Sequence, residues 1–353
     1  MKIAIVSGGT GGHIYPGLAI AEELKRQKPA VSILFLGSAE GLENKLVTRE
    51  GYAIKIIRSR ALLRKLSYQA ISAPFVSALG FFQAIWILKK YSPDYLISTG
   101  GYASLPVVLA AKILAIKIIL HEQNVFPGFV NRFVRKFADK VFVTFSETRA
   151  FMDGEVVGNP VRRKIREAER ENARRKLGIS PDKRVVLVLG GSQGSKKINE
   201  TVIKILENLP PDLVLMHIIG KRDFPWVFSA IENKKIKNYH PLAYLHDMDA
   251  ALAAADLVVS RAGATAIAEF LVRGLPMVLI PFPYAADDHQ RLNAEAISKN
   301  GGAVLVPESE FNPEKLFALL TGADLNYARM KQANLKLARP DAAERIVDYI
   351  YHG

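Results

Sequence analysis

The run Lys2-Ile-Ala-Ile-Val-Ser7, then Gly8-Gly9-Thr10-Gly11-Gly12-His13, then Ile14-Tyr15-Pro16-Gly17-Leu18, decides how the chain folds. An apolar segment of strand length stops at four glycines within five positions. A helical pattern follows, with Leu18, Ala21 and Leu24 on one face. Pro16 suits a first helical turn, where its missing N–H costs nothing. Glycines at such a junction let main-chain N–H groups approach a ligand closely. The helix N-terminus adds partial positive charge, so the junction suits phosphate. His13 is the one side chain of this loop able to exchange a proton near neutral pH.

Two familiar phosphate loops fit poorly. A dinucleotide fingerprint needs Gly-x-Gly-x-x-Gly and an acid near the end of the second strand. Here Gly9-Thr10-Gly11 runs into Gly12-His13-Ile14, and the second apolar run (Val31 to Leu36) ends in Gly37-Ser38. No Gly-Lys-Ser/Thr follows at the spacing of a Walker loop. The plain alternative is a tight strand-to-helix turn that binds nothing. Four glycines and a histidine exceed what such a turn needs.

Working outward, 353 residues are many for a single core, and two domains are expected. A composition 49% hydrophobic and 23% charged describes an ordered globular chain. The sequence has no cysteine, which excludes disulfides and thiolate metal sites and fits a reducing cytosol. Because the chain opens directly into a strand pattern, no secretion signal is expected. A net charge of +14 implies an anionic partner. No RNP-type aromatic strand or zinc spacing points to nucleic acid. An anionic membrane surface or a diphosphate-bearing substrate fits better.

Strand-like and helix-like segments alternate. The strand candidates are Ile3–Val6, Ser32–Leu36, Ile54–Ile57, Tyr95–Ser98, Lys117–Leu120 and Val141–Thr144. A second set comprises Val185–Leu189, Leu213–Ile219, Leu257–Ser260, Met277–Ile280 and Ala303–Val306. This alternation indicates α/β architecture, with doubly wound parallel sheets covered on both faces. The halves echo each other: Gly190-Gly191-Ser192-Gln193-Gly194-Ser195 repeats the first glycine loop. Val259-Ser260-Arg261-Ala262-Gly263-Ala264 likewise answers Ile97-Ser98-Thr99-Gly100-Gly101-Tyr102. Two Rossmann-like domains are expected, 1–158 and 159–340, facing each other across a cleft with ligands at the carboxyl ends of their strands. The helical tail, 341–353, is expected to cross back onto the first domain.

From Ser67 to Leu88 the chain carries no charge, long enough to meet the ~20-residue criterion for a span. Pro74, Gly80, Ser72, Ser77 and Gln83 argue against spanning. Phe75, Leu79, Phe82 and Trp86 form a stripe at helical spacing. That stripe fits either a buried helix or an exposed patch docking on a bilayer. In the second case Arg58, Arg60, Arg64, Lys65, Lys89 and Lys90 stand ready for lipid headgroups.

Taken in order, the two glycine loops, Gly100-Gly101-Tyr102, His121-Glu122-Gln123-Asn124, Gly158-Asn159-Pro160-Val161-Arg162 and His289-Gln290-Arg291-Leu292-Asn293-Ala294 span nearly the whole chain. The ordered set resembles the MurG family of bacterial N-acetylglucosaminyltransferases. The resemblance implies a two-domain, inverting enzyme of the GT-B type, peripheral on the inner leaflet, that converts lipid I to lipid II. It implies UDP-GlcNAc as donor and an undecaprenyl-diphosphate-linked MurNAc-pentapeptide as acceptor. Anionic inner-leaflet lipids and other cell-wall synthesis proteins are the further partners it suggests.

The same resemblance implies roles for single residues. In the second domain Ser192 would bind a diphosphate oxygen at a helix N-terminus, the backbone near Leu245 the uracil, and Ala264, Thr265 and Glu269 the rest of the nucleotide, with Glu269 on the ribose hydroxyls. Simpler readings are a helix cap for Ser192 and dipole compensation for Glu269. Ala266 and Ala268 replace residues expected to be hydroxylated, which removes side-chain contacts to phosphate there. Gln290, which can donate and accept at once, would read the sugar hydroxyls beside His289. Arg162 would face the leaving UDP, or else simply open a helix at the surface. In the first domain Thr10, Gly11 and Gly12 would hold the acceptor diphosphate or line the donor sugar. Asn124 would contact sugar or acceptor, and Leu105 stands where the family has glycine.

Inverting transfer needs a base for the acceptor hydroxyl and stabilisation of the departing diphosphate. His13 is the candidate base, a histidine's ordinary pKa of ~6.5 suiting the task; capping the turn is its structural alternative, and Glu122 is the reserve base. Asp287-Asp288 has no third carboxylate or histidine at ligand spacing, so neither a protein-built metal site nor a cofactor is expected. Two other classes compete. A UDP-GlcNAc 2-epimerase would need no acceptor and gives no reason for the base-flanked apolar stripe. A non-catalytic membrane adaptor would be expected to have lost His13, Gln290 or Glu269, and all three are present.

Overall fold

Ile3 and Ile5 point to one face of strand β1 (Lys2–Val6) and Ala4 and Val6 to the other, and all four are fully buried. A strand apolar on both faces lies inside a sheet covered on both sides. The computed structural model describes residues 1–39, 41–59, 68–191, 194–232, 234, 236–245, 247–321 and 325–353, with the backbone alone described at 68–74. The chain divides into two units, Met1–Arg162 with Arg339–Gly353, and Arg163–Ala338.

In the first unit β1 is followed by α1 (Gly11–Gln27), β2 (Ser32–Ser38), α2 (Glu43–Arg49), β3 (Ala53–Ile57) and α3 (Tyr68–Tyr91). Then come β4 (Tyr95–Ser98), α4 (Ser104–Ile113), β5 (Lys117–Glu122), α5 (Phe129–Val134), β6 (Lys140–Val143) and β7 (Glu155–Val156). The strands form one parallel sheet in the order β3-β2-β1-β4-β5-β6-β7. One face packs Ile3 and Ile5 against Leu18 and Leu24 of α1. The other packs Ala4 and Val6 against Ala84 and Leu88 of α3 and Val107 and Val108 of α4.

The second unit runs α6 (Arg163–Glu167), α7 (Arg170–Lys176), β8 (Arg184–Leu189), α8 (Lys196–Ile205), β9 (Leu213–Ile218), α9 (Phe224–Ile231), β10 (Tyr239–Leu242) and α10 (Met248–Ala254). It continues through β11 (Leu257–Ser260), α11 (Ala264–Val272), β12 (Met277–Leu279), α12 (His289–Ser298), β13 (Ala303–Leu305), α13 (Pro313–Thr321) and α14 (Tyr327–Leu337). Its parallel sheet has the order β10-β9-β8-β11-β12-β13. Val186 and Val188 meet Ile198 and Val202 of α8 and Leu316 and Leu320 of α13. Small residues (Ala173, Ala250, Ala253, Ala254) let α7 and α10 approach closely.

The final helix, α15 (Ala342–His352), belongs to the first unit. Ile346, Val347 and Ile350 join the core beside α1, each burial stabilising by roughly 1.5–3 kcal/mol. Tyr351 donates to the Leu24 carbonyl at 3.1 Å, and Arg345 reaches Val156 O at 3.0 Å and the Glu155 carboxylate at 2.7 Å. Residues 159–162, placed in the second domain from sequence, belong to the first unit. The reason is local: Val157 is in the first core and the Arg162 guanidinium lies 4.1 Å from the centre of the Tyr15 ring.

In each sheet the strand order reverses at one place, between β1 and β4 and between β8 and β11. Ligands of doubly wound sheets bind at such switch points. The two pairs of echoing motifs in the sequence are the loops at these two places. Strands β7 and β10 escape sequence reading. The first has two residues, and the second carries His240 and Pro241 at the sheet edge, where a strand tolerates proline.

Candidate active site

At the switch point of the first unit, two glycine loops pack backbone to backbone. Gly8 N–H donates to Gly100 O at 3.0 Å, and a Cβ on Gly101 would sit 2.3 Å from Gly8 O. Gly101 also has a φ of +88°, so side chains are refused there twice over. Thr10, in an extended conformation, precedes α1. Its N–H donates to Gly8 O at 3.1 Å, and Gly9 N–H donates to Glu43 Oε1 at 2.7 Å. Glu43 is buried just beyond β2, and the same oxygen accepts from Ser38 Oγ at 2.9 Å. The amides of Gly8, Gly9 and Thr10 are thus committed inside the protein. An anion at this loop must be met from Gly11 onward, in the first turn of α1. Thr10 and Gly12 are exposed and Gly11 is half-buried.

His13 follows on that turn, half-buried. Thr99, at the end of β4, grips it twice. Thr99 Oγ1 donates to His13 O at 2.8 Å, and His13 Nδ1 lies 2.9 Å from Thr99 O. The same Nδ1 lies 2.9 Å from Gln123 Oε1. Gln123 Nε2 in turn contacts His121 Nδ1 at 3.0 Å, and His121 Nε2 is 2.9 Å from Gly158 O. Burial lowers the pKa of His121 to about 4, so its ring is neutral at physiological pH. Gly100 completes the setting, because a Cβ there would meet His13 Nδ1 at 3.1 Å.

Asn124 lies half-buried beside this network, its backbone N–H donating to Glu122 Oε1 at 2.9 Å. Glu122, read from sequence as a reserve base, is buried and taken up on both oxygens. Oε1 also accepts from Asn124 Nδ2 at 3.2 Å, and Oε2 accepts from Gly128 N–H at 3.1 Å and Asn131 Nδ2 at 2.7 Å. Its role is to hold the 124–131 loop. Arg162 is buried over Tyr15, whose ring carries its guanidinium.

In the second unit Ser192 lies outside the described residues. Gly194 N–H donates to Gly191 O at 3.0 Å, and Ser195 caps α8. Arg261, at the end of β11, donates to Ser195 Oγ at 2.8 Å and pairs with Glu308, tying the two switch-point loops together. Ala264 and Thr265 open α11 and are buried, as is Glu269 one turn further on. Two side chains of α12 clamp the turn before that helix. Gln290 Oε1 accepts from Ala262 N–H at 3.2 Å and from Phe282 N–H at 3.0 Å, while Asn293 Nδ2 donates to Ala262 O at 3.2 Å. The Gln290 acceptor is therefore occupied, and only its NH2 remains to meet a ligand. Leu245 is half-buried in the loop after β10. Asp288 pairs with Arg291, and His289 Nδ1 donates to Ala286 O at 2.7 Å.

Known proteins resemble this chain over nearly its whole length. Residues 3–143 match the glycosyltransferase family 28 N-terminal domain and residues 185–346 the family 28 C-terminal domain. A UDP-N-acetylglucosamine–N-acetylmuramyl-(pentapeptide) pyrophosphoryl-undecaprenol N-acetylglucosamine transferase from Acetivibrio thermocellus is 40% identical over 359 residues, covering 99% of this chain and 97% of the relative. The chain belongs to the MurG family of glycosyltransferases. A transferase of the same name from Desulforamulus reducens is 38% identical over 361 residues, covering 98% of this chain and 97% of its own. The crystal structure of Acinetobacter baumannii MurG superposes with a TM-score of 0.75 at 29% identity, covering 100% of this chain and 99% of the other.

Within this MurG-family chain the apolar stripe of α3 faces outward. Phe75, Leu79, Phe82 and Trp86 are 74%, 51%, 65% and 65% exposed, while Ala84, Ile87 and Leu88 on the opposite side are buried. The buried-helix alternative for the stripe is thereby removed. Lys90 Nζ lies 5.3 Å from the centre of the Trp86 ring; Arg60, Arg64 and Lys65 fall outside the described residues. Among the described residues no helix is long and apolar enough to cross a membrane. Sequence reading overlooked Thr99, Gln123, Glu43 and Arg261 as site residues. Thr99, Gln123 and Arg261 each follow directly on the last residue of a strand, the one signal that could have found them, whereas Glu43 opens α2.

Proposed function

We propose that the protein transfers N-acetylglucosamine, with inversion, from UDP-GlcNAc to the MurNAc 4-hydroxyl of undecaprenyl-diphosphate-MurNAc-pentapeptide, converting lipid I to lipid II. Its full-length likeness to the two named transferases carries this reading. In the chemistry proposed, the acceptor hydroxyl gives its proton to His13 Nε2 as its oxygen bonds to the anomeric carbon. The bond from that carbon to the diphosphate breaks, and UDP leaves with the bonding electrons.

The second unit supplies the donor contacts: the Ser192 loop and the N-terminus of α11 for the diphosphate, Glu269 for the ribose, the backbone near Leu245 for the uracil and the Gln290 NH2 for a sugar hydroxyl. Arg162 offsets charge on the departing UDP. The first unit takes the acceptor through Gly11, Gly12 and Asn124. The outward stripe of α3, with Lys89 and Lys90 at its end, docks peripherally on anionic lipid at the cytoplasmic membrane face. Incubating the protein with radiolabelled UDP-GlcNAc and a lipid I analogue tests the reading. Label should pass to the lipid, and UDP-ManNAc formed without acceptor would overturn it.

A further inference from the structure

The chain Gly158–His121–Gln123–His13 has its hydrogens fixed by atoms that can only accept. At one end the backbone carbonyl of Gly158 accepts, so His121 Nε2, 2.9 Å away, carries a hydrogen. The His121 ring is fully buried and neutral, with its pKa lowered to about 4, so its Nδ1 is an acceptor. Gln123 Nε2 lies 3.0 Å from that Nδ1 and 3.1 Å from the His121 carbonyl. Both partners accept, so the NH2 of Gln123 belongs there and its Oε1 turns to His13. At the far end His13 Nδ1 faces two acceptors at 2.9 Å, Gln123 Oε1 and Thr99 O. Its hydrogen therefore sits on Nδ1 and its lone pair on Nε2.

We propose that Gln123 and His121 are positioning residues that hold His13 in its Nδ1–H form, keeping the Nε2 lone pair available to the acceptor hydroxyl. The inference rests on the reading of His13 as the base. Nδ1 meets the Gln123 amide and a backbone carbonyl, so the tautomer is set by a neutral amide whose orientation a second, buried imidazole enforces. Were Gln123 to turn over, its NH2 would face Nδ1 and favour the opposite tautomer, which presents N–H instead of a lone pair to the hydroxyl. A base in the wrong tautomer cannot take a proton. Thr99 O alone would remain to oppose that change.

The test combines nitrogen NMR of protein labelled with 15N-histidine, His13→Gln identifying the His13 signals, with steady-state kinetics on UDP-GlcNAc and a lipid I analogue. In the parent protein His13 should show a pyrrole-type Nδ1 and a pyridine-type Nε2. Gln123→Met should lower kcat by about ten- to a hundredfold with the donor KM and melting temperature nearly unchanged, and introduce the second tautomer. Gln123→Glu keeps an acceptor toward Nδ1, although its second oxygen then faces the two acceptors of His121, so it should restore the Nδ1–H tautomer and part of kcat while lowering the melting temperature. An Nε2–H tautomer in the parent, or parental kcat in Gln123→Met, overturns the proposal. So does a loss of kcat that tracks a loss of melting temperature in both variants. A fully active His13→Gln protein whose parent shows the Nδ1–H form would instead remove His13 as base while leaving the tautomer lock standing.

Discussion

Gly100 lies directly against the imidazole of His13: a Cβ at this position would stand 3.1 Å from Nδ1 and 3.2 Å from Asn131 Nδ2. Its φ of +93° is also one that side chains avoid. Gly100→Ala should therefore push the ring away from Thr99 and Gln123 and strain the loop by about 1–3 kcal/mol. Turnover should fall more steeply than melting temperature, and parental kcat in this variant would contradict the tight seating of His13.

His13→Ala removes the proposed base and leaves the second unit untouched. The expected loss in kcat is about 10²- to 10⁴-fold, with the KM for UDP-GlcNAc changed little. A donor KM that rises in step with the loss in kcat would make His13 a binding group.

Two buried histidines make the fold sensitive to acid. His121 in the first unit and His217 in the second have pKa values lowered by burial to about 4 and about 3. His217 is held neutral between Tyr239 Oη at 2.8 Å and Asn199 Oδ1 at 3.0 Å. Both groups titrate near their ordinary value of 6.5 once unfolded. The unfolded chain then binds more protons below that pH. Stability is therefore full above about pH 6.5 and falls by up to about 1.4 kcal/mol per pH unit per histidine as the pH drops toward the folded values. Urea midpoints measured from pH 7.5 to 4.5 should show this decline, and His217→Gln should flatten part of it. An unchanged midpoint across that range would refute the neutral burial of both rings.

The outward stripe of α3 makes a separable prediction. Because Phe82 and Trp86 are exposed, Phe82→Glu with Trp86→Glu should cost little stability, within about 0.5 kcal/mol per site. The double variant should leave vesicles containing acidic phospholipid while the parent stays bound. Retained binding would place the docking surface elsewhere.

The frame of the fold was legible because both sheets announce themselves locally. The alternation of Ile3 and Ile5 with Ala4 and Val6 needs only one strand, and the paired glycine loops mark each switch point. The direction of α3 was not legible. The helix is apolar nearly all round, so spacing gives a stripe without saying whether Trp86 or Leu88 faces the core. The surroundings of His13 were hidden for a different reason. They join positions 13, 99, 121, 123 and 158 through contacts that exist only once four separate segments are folded. Glu43 was missed likewise: no acid ends β2, yet one on the following helix reaches back to the glycine loop.

Gln290 separates binding from architecture. Its Oε1 holds the Ala262 and Phe282 amides, and its NH2 is the part proposed to meet a sugar hydroxyl. Gln290→Glu keeps the acceptor for both amides, removes the donor and adds a negative charge. Gln290→Leu removes both acceptor and donor, leaving two backbone N–H groups without that partner at a cost of about 1–3 kcal/mol each where water cannot replace it. The glutamate variant should therefore melt close to the parent while its KM for UDP-GlcNAc rises about tenfold, one lost hydrogen bond to a hydroxyl. The leucine variant should lose both affinity and melting temperature. If the glutamate variant bound donor as the parent does, Gln290 would be a clamp on the 262 turn and the sugar would be read by another group.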